Sequence, residues 1–166
     1  MTRDDVEFDI YYSYFLEKMN YTLLNRIDKG ITLVLIVLGF SVFAPFSNMF
    51  FFGVSVAILS VLQLVYQFGQ EAGLSKEQMR QYKRMLIEFS TLSDDDLRAR
   101  YLKIQDADSN PWRSLQDAAF KRTCIALGRN DDSDMTFTHS VIAWFAGDLP
   151  RNKKAKNDIK ASTDNS

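Results

Sequence analysis

A chain of 166 residues, 46% hydrophobic and 25% charged, has the size of one compact unit with short extensions. A net charge of −1 and a pI near 5.8 give no electrostatic footing for nucleic-acid binding. One cysteine, Cys124, rules out an internal disulfide framework, and the single histidine, His139, has no second imidazole beside it for a metal site or catalytic pair.

The first segment, from about Asp4 to Asp28, is helical by its spacing. Phe8, Tyr12, Phe15, Met19 and Leu23 recur at intervals of three and four and build one apolar face. Asp4 and Asp5 suit its N-terminus, where the helix dipole favours negative charge. Packing on cytoplasmic neighbours is the expected role of this face, with a position on a lipid surface as the alternative. Only Gly30 separates this helix from the apolar segment after it, so it runs on or bends there.

From Gly30 to Gln70 the sequence contains no Asp, Glu, Lys or Arg. Its one turn signal is Ala44-Pro45-Phe46-Ser47-Asn48. A hydrocarbon core about 30 Å thick needs roughly 20 apolar residues per helix, so the stretch has room for two crossings. It reads as a transmembrane helical hairpin with spans at about 30–46 and 49–68. Two core helices of a soluble bundle would each carry a polar stripe away from the core. The segment from Ile31 to Ala44 has only Thr32 and Ser41 as exceptions to its apolarity. A mean hydropathy of −0.18 for the whole chain reflects dilution by polar flanks. A secretory signal would start close to the N-terminus with a basic segment and a short apolar run. Here 29 residues precede the stretch and a second span follows, so the hairpin is expected to remain in the mature protein.

Basic residues flank the hairpin on one side only: Arg26 and Lys29 before it, Lys76, Arg80, Lys83 and Arg84 after it, none in the turn. The positive-inside rule then places both termini in the cytoplasm, with these six residues as the cytoplasmic anchor. Phe43, Phe46, Phe50, Phe51 and Phe52 would lie near the outer interface and Tyr66 near the inner one. In the second span, Gly53, Ser60, Gln63, Gln67 and Gln70 fall on an arc of roughly 100°. Glutamines facing lipid are costly, so this stripe should meet another helix or water. Two roles remain open: hydrogen bonds that fix the hairpin or an oligomer, or the lining of an aqueous path when several copies assemble.

Beyond the hairpin, Ser75-Lys76-Glu77-Gln78 has the form of a capping box and predicts a helix start after Gly73. Met79, Tyr82, Leu86 and Phe89 would be its seam. Ser93-Asp94-Asp95-Asp96 starts the next helix, with Leu97, Tyr101 and Ile104 inward. Asn110-Pro111 predicts a third start, for a helix carrying Trp112, Leu115, Ala119 and Ala126 and closing at Gly128. Residues 1–128 thus form one all-α unit, a hairpin with a cytoplasmic helical bundle. Residues 129–150 comprise an acidic linker, Asn130 to Asp134, and a short apolar patch of Val141, Ile142, Trp144, Phe145 and Leu149. The patch is too short to span a bilayer and is expected to pack on the bundle, with membrane-surface or partner contact as alternatives. Residues 151–166 lack apolar periodicity and read as disordered, with lysines able to reach anionic lipid.

Sites of chemistry are sparse. Asp106, Asp108, Asn110 and Asp117 match positions of a calcium loop, but Pro111 stands where that loop needs Gly, and Asp117 replaces the bidentate Glu. Asp94, Asp95 and Asp96 suit a helix first turn better than a metal centre. There is no phosphate-binding loop, dinucleotide fingerprint or H-E-x-x-H. Cys124 reads as a small buried apolar residue. The expectation is a protein without catalytic residues, metal or cofactor.

The layout from Phe8 to Gly128 resembles the SLATT families, bacterial two-transmembrane domains associated with nucleotide-second-messenger conflict systems (the SMODS- and SLOG-associating domains). The features that carry the likeness are the aromatic-rich leading helix, the charge-free hairpin, Arg80-Gln81-Tyr82-Lys83-Arg84, and Tyr101-Leu102-Lys103-Ile104 followed by Asn110 and the helix from Leu115 to Arg122. The resemblance implies an effector in the bacterial inner membrane that oligomerises and forms a pore, or perturbs the bilayer, when a cytoplasmic sensor protein detects infection. Membrane lipid and further copies of the chain are then the expected partners, and no nucleic acid. A membrane-anchored adaptor and a phage exclusion or lysis-control protein are the competing readings. The segment after Gly128 departs from the short ending of the family.

Overall fold

A computed structural model describes residues 2–41, 49–106, 109–129 and 136–148. The described residues are all-helical and contain no strand. Helix α1 spans Arg3–Ser41, α2 Met49–Tyr66, α3 Phe68–Glu88, α4 Asp94–Gln105, α5 Gln116–Ala126 and α6 Phe137–Phe145, with a 3-10 turn at Arg113–Leu115 leading into α5. The Ala44–Asn48 turn, the acidic linker and the tail from Arg151 lie outside the described residues.

Helix α1 is the axis of the molecule. Its 39 residues extend about 58 Å at 1.5 Å per residue. The chain passes through Gly30 without a break in the helix, so the leading helix and the first apolar segment are one rod. Thr2 caps it reciprocally: the Asp5 backbone N–H donates to Thr2 Oγ1 at 3.2 Å, and the Thr2 N–H donates to Asp5 Oδ2 at 2.7 Å. Those bonds to Thr2 hold the Asp5 carboxyl below the usual carboxylate range.

Helices α2 and α3 together return along the whole of α1. Contacts descend in steady antiparallel register: Thr32 meets Gln63, Asp28 lies against Gly69, Tyr21 is covered by Lys76, Asn20 bonds Ser75, and Arg3 reaches the Phe89 carbonyl. The register crosses the junction at Gln67 without slipping. Two regimes of burial result along this pair. Below Asp28, α1 is enclosed on two sides; beyond Gly30, it has α2 alone beside it and is largely exposed.

The enclosed half of α1 divides two small cores. Leu16, Met19 and Leu23 pack with Leu115, Ala118 and Ala119 of the turn and α5, and with Ala143 and Ala146 of the α6 region. On the other side, Val6 and Ile10 pack with Tyr82 and Met85 of α3 and Leu97 and Tyr101 of α4. Burying each such large apolar side chain contributes about 1.5–3 kcal/mol. The aromatic face read from sequence is only half of this arrangement. Tyr12 and Phe15 are half-buried at the edge of the first core and Phe8 is half-buried against Phe120, whereas Val6, Ile10, Leu16 and Leu24 are buried.

Two expected helix starts are displaced. Ser75 is a buried residue in the interior of α3, not its cap, and its hydroxyl bonds across to α1. Tertiary pairing with α1 carries the helix back to Phe68. The α3 seam rotates accordingly: Ala72, Ser75, Gln78, Tyr82 and Met85 are buried, with Met79, Leu86 and Phe89 flanking it. Asn110-Pro111 does not open α5 either. Trp112 precedes the 3-10 turn, and α5 proper begins at Gln116. The Ser93 start holds: Ser93 Oγ accepts from the Asp96 N–H at 3.3 Å and donates to its carboxylate at 2.7 Å. Gly128 closes α5 with φ +68, the Arg129 N–H reaching the Cys124 carbonyl at 2.8 Å.

Two measurements check this packing. Ser93→Ala should lower unfolding stability by about 1 kcal/mol through loss of the α4 cap, read by circular dichroism in detergent. Burial, and then the charge of Asp5, raises the Asp9 carboxyl above its ordinary value. Its ionised form is therefore disfavoured in the fold, and stability falls as pH rises from the ordinary carboxylate value through that raised one. Asp9→Asn should accordingly stabilise the protein at neutral pH relative to the parent, with the difference vanishing below the ordinary carboxylate range.

Candidate functional site: a polar groove on the apolar arm

The arm formed by α2 and the outer part of α1 contrasts with the body. Among the described residues, one helical stretch, Phe50–Glu88, which covers α2 and α3, is long and apolar enough to cross a membrane. Its most apolar window has a mean hydropathy of 1.8, and none of that window is buried. A core helix of equal apolarity would be enclosed by protein. Here Phe50, Phe51, Ile58, Val61, Leu64 and Val65 stand outward.

The contact between α1 and α2 follows a helical stripe. Phe52, Val56, Leu59 and Gln63 of α2 are half-buried, as are Ile31, Leu35 and Leu38 of α1. Gln63 is the polar member. Its Nε2 donates to Thr32 Oγ1 at 3.3 Å, and that hydroxyl in turn donates to the Asp28 carbonyl at 2.9 Å. A side-chain amide inside an apolar pair is costly without such a partner. The bond also fixes the register of the two helices.

Ser60, Gln67 and Gln70 share the neighbouring face and are exposed. With Gln63 and Leu64 they line an open groove of about 460 Å³. The structure therefore brings together four of the five residues of the expected stripe. Gly53 lies two turns away from Ser60, exposed, with open space where a Cβ would project. Gln63 bonds within the hairpin, while Ser60, Gln67 and Gln70 present polar groups outward.

Gln67 has a second property. With φ 44 and ψ 44 it is left-handed, the one non-glycine residue with positive φ among the described residues. An L-residue in this region is disfavoured by roughly 1–2 kcal/mol. It ends α2 by donating to the Gln63 carbonyl at 3.1 Å, and its own carbonyl accepts from the Gln70 and Glu71 N–H groups at 2.8 and 3.1 Å. The second expected span, about 49–68, is thus a helix to Tyr66 and a hinge at Gln67. The hinge lies where the charge-free stretch gives way to the body. Stacking of Tyr66 on Phe68, with centroids 5.3 Å apart and 9° between planes, braces the two sides of the break.

The six expected anchor cations all lie on the body side of this hinge or next to it. Arg26 donates to the Phe145 carbonyl at 2.5 Å, Lys76 sits over the Tyr21 ring, and Arg80 pairs with Glu77. Lys29, Lys83 and Arg84 are exposed. Arg84 also borders a separate cleft of about 430 Å³, lined by Met85 and Ile104 and by Arg100 and Lys103.

Below the hinge, a polar lock closes the α1–α3 seam. Asn20 Nδ2 donates to Ser75 Oγ at 2.8 Å, Ser75 Oγ lies 3.3 Å from Ser109 Oγ, and Ser109 Oγ bonds the Glu17 carboxylate at 2.7 Å. The Trp112 N–H donates to Asn20 Oδ1 at 3.4 Å. Sequence reading missed this set because its members are far apart in the chain and the one motif among them, the capping pattern at Ser75, points to a different role. The same separation holds for Thr32 as the partner of Gln63, and for His139, whose Nδ1 lies 2.6 Å from Asp117 Oδ2. Of the calcium-loop residues, Asp108 lies outside the described residues. Asp117 is engaged by His139, and no cluster of three or more potential ligands occurs among the described residues. Cys124 is buried, as expected of a small apolar residue.

No family model, curated protein or solved structure matches this chain.

The hinge can be tested directly. Gln67→Gly relieves the Cβ penalty of the left-handed backbone and should preserve or raise stability by about 1 kcal/mol. Gln67→Val, β-branched and ill-suited to positive φ, should lower it by more than that. Thermal unfolding of the three proteins in detergent would show the order.

Proposed function

We propose that this chain is a membrane effector of a bacterial anti-phage system, inserted in the inner membrane through the α1–α2 hairpin with both termini cytoplasmic. Assembly of several copies would turn their polar grooves toward one another and open a path for ions. The observation that carries the reading is the groove of Ser60, Gln63, Gln67 and Gln70 on an arm whose other outward residues are mainly apolar, with Ser55 and Thr32 donating their hydroxyls back to carbonyls of their own helices. Lipid cannot satisfy an exposed serine and two exposed glutamines, so burial against another copy or hydration in a shared lumen is strongly favoured. The one-sided placement of Arg26, Lys29, Lys76, Arg80, Lys83 and Arg84 supports the orientation. The SLATT-like layout supports the defence setting.

The hinge at Gln67 supplies a physical route from trigger to pore. It joins α2 to α3 through a single disfavoured residue while α1 runs unbroken beside both, so a partner acting on the body can change the tilt of α2 against α1 without unfolding either helix. A few kcal/mol of differential binding is enough to shift such an equilibrium.

A second reading, a membrane-anchored adaptor, draws on the cleft between α3 and α4. Its apolar Met85 and Ile104 and its cationic Arg84 and Lys103 suit an acidic segment of a cytoplasmic partner, beside an Arg100 already paired with Glu88. In that case the hairpin serves only as a tether.

A membrane-potential dye separates the two. Bacteria expressing the chain and challenged with phage should depolarise, and Ser60→Leu with Gln70→Leu should abolish this while leaving expression and localisation intact. Those two positions are preferable to Gln63 and Gln67, whose side chain and backbone also hold the fold. Polarisation that stays normal in cells showing protection would overturn the effector reading. Protection that survives replacement of residues 30–66 by an unrelated hairpin would favour the adaptor.

A further inference from the structure

We infer that α6 is a second membrane contact, an interfacial helix that lays its outer face on the cytoplasmic leaflet beside the hairpin. This rests on the reading that the hairpin spans the bilayer. Helix α6 is two-faced: Ala143 and, just past its end, Ala146 are buried in the first core, with Ile142 packed against it. Its other face presents Phe137, Val141 and Trp144, which are 81, 47 and 67% exposed. These three positions, at spacings of four and three, form one stripe. His139 is the only titratable residue between Phe137 and Gly147, and it is turned toward Asp117. An exposed apolar stripe free of charge is unusual for a helix that faces water.

The position of α6 identifies what covers this stripe. Arg26 of α1 donates to the Phe145 carbonyl, satisfying an end group of α6, and its guanidinium lies 5.9 Å from the Phe145 ring centroid. Gly147, at φ +84, brings the chain so close to Thr22 and Arg26 that an added Cβ would lie 3.3 Å from Thr22 Cγ2. Arg26 precedes Gly30 by four residues, about 6 Å along the helix axis. The C-terminal end of α6 is thereby tied to the level of α1 at which the charge-free stretch begins. That level is the headgroup region, where tryptophan and phenylalanine partition favourably. The sequence after α6 carries Arg151, Lys153, Lys154, Lys156 and Lys160 against one acid, Asp158, between Arg151 and Ala161. A cationic run that follows an apolar stripe in the sequence is a combination that anionic lipid attracts. The occupant is therefore an anionic bilayer surface.

The test uses the full chain in vesicles of three parts phosphatidylcholine to one part phosphatidylglycerol. In Trp112→Phe, Trp144 is the sole tryptophan. Its fluorescence should be quenched about threefold more by brominated lipid than by acrylamide in the aqueous phase, as for an interfacial indole. Replacing the five tail cations by Gln should weaken the lipid quenching. The control combines Trp112→Phe and Trp144→Phe with Ile58→Trp, which puts the probe in the hairpin. If lipid quenches the Ile58→Trp probe but not Trp144, the inference fails while the hairpin reading stands. If it quenches neither, the hairpin reading itself fails. A Trp144 shielded from both quenchers would be covered by protein, such as a second copy, and that too overturns the inference.

Discussion

The antiparallel pairing of α1 with the α2–α3 rod is the constraint on which the rest of the structure depends. Because one register runs from Thr32–Gln63 through Asn20–Ser75 to Arg3 and the Phe89 carbonyl, fixing any one contact fixes the others. Polar groups set that register more sharply than apolar ones can. A leucine seam tolerates a one-turn slip, whereas Asn20, buried and bonded to both Ser75 and the Trp112 N–H, does not. A displaced Asn20 would leave buried donors without acceptors, at about 1–3 kcal/mol each. The same lock reaches Ser109 and Glu17, so the chain entering α5 is held by the seam it packs upon.

The two ends of this pair differ in how they are packed. The body end is enclosed by α4, α5 and α6 and bonds its polar groups to one another across the seams. The arm end has an apolar exterior, with its polarity concentrated in the Gln63–Thr32 bond and the groove beside it. The junction is abrupt, since Asp28 approaches Gly69 only a turn below the point where the opposing chains lose all charge. Gln67 stands there in a backbone state better suited to glycine.

Helix α6 shows how weak individual contacts combine to place a short element. Nine residues do not form a stable helix alone in water. Its placement relies on Ala143 and Ala146 in the core, the Arg26 bond to its end, the Asp117–His139 contact and the Arg122–Asp148 ion pair at 3.2 Å. All of these join residues far apart in sequence.

The sequence by itself determined the helical class, the charge-free hairpin segments, the α4 start at Ser93 and the α5 stop at Gly128. Each rests on local chemistry: apolar runs, a hydroxyl placed for the first turn, or a residue that tolerates positive φ. It also placed Ser60 and Gln63 on one face by helical spacing, and the structure adds Gln67 and Gln70 to the same groove across the break at Gln67. Tertiary structure decided what those spacings could not. Ser75 carries a capping pattern yet lies within α3, since pairing with Asn20 outweighs a local start signal. Asn110-Pro111 yields to a 3-10 turn because the chain there is held by Ser109 and the Trp112 N–H. Gln63 and Ser60 look alike in the sequence. Only the position of Thr32 on the opposing helix separates the residue that bonds inward from those left facing out, because long-range pairing has no signature in either segment taken alone.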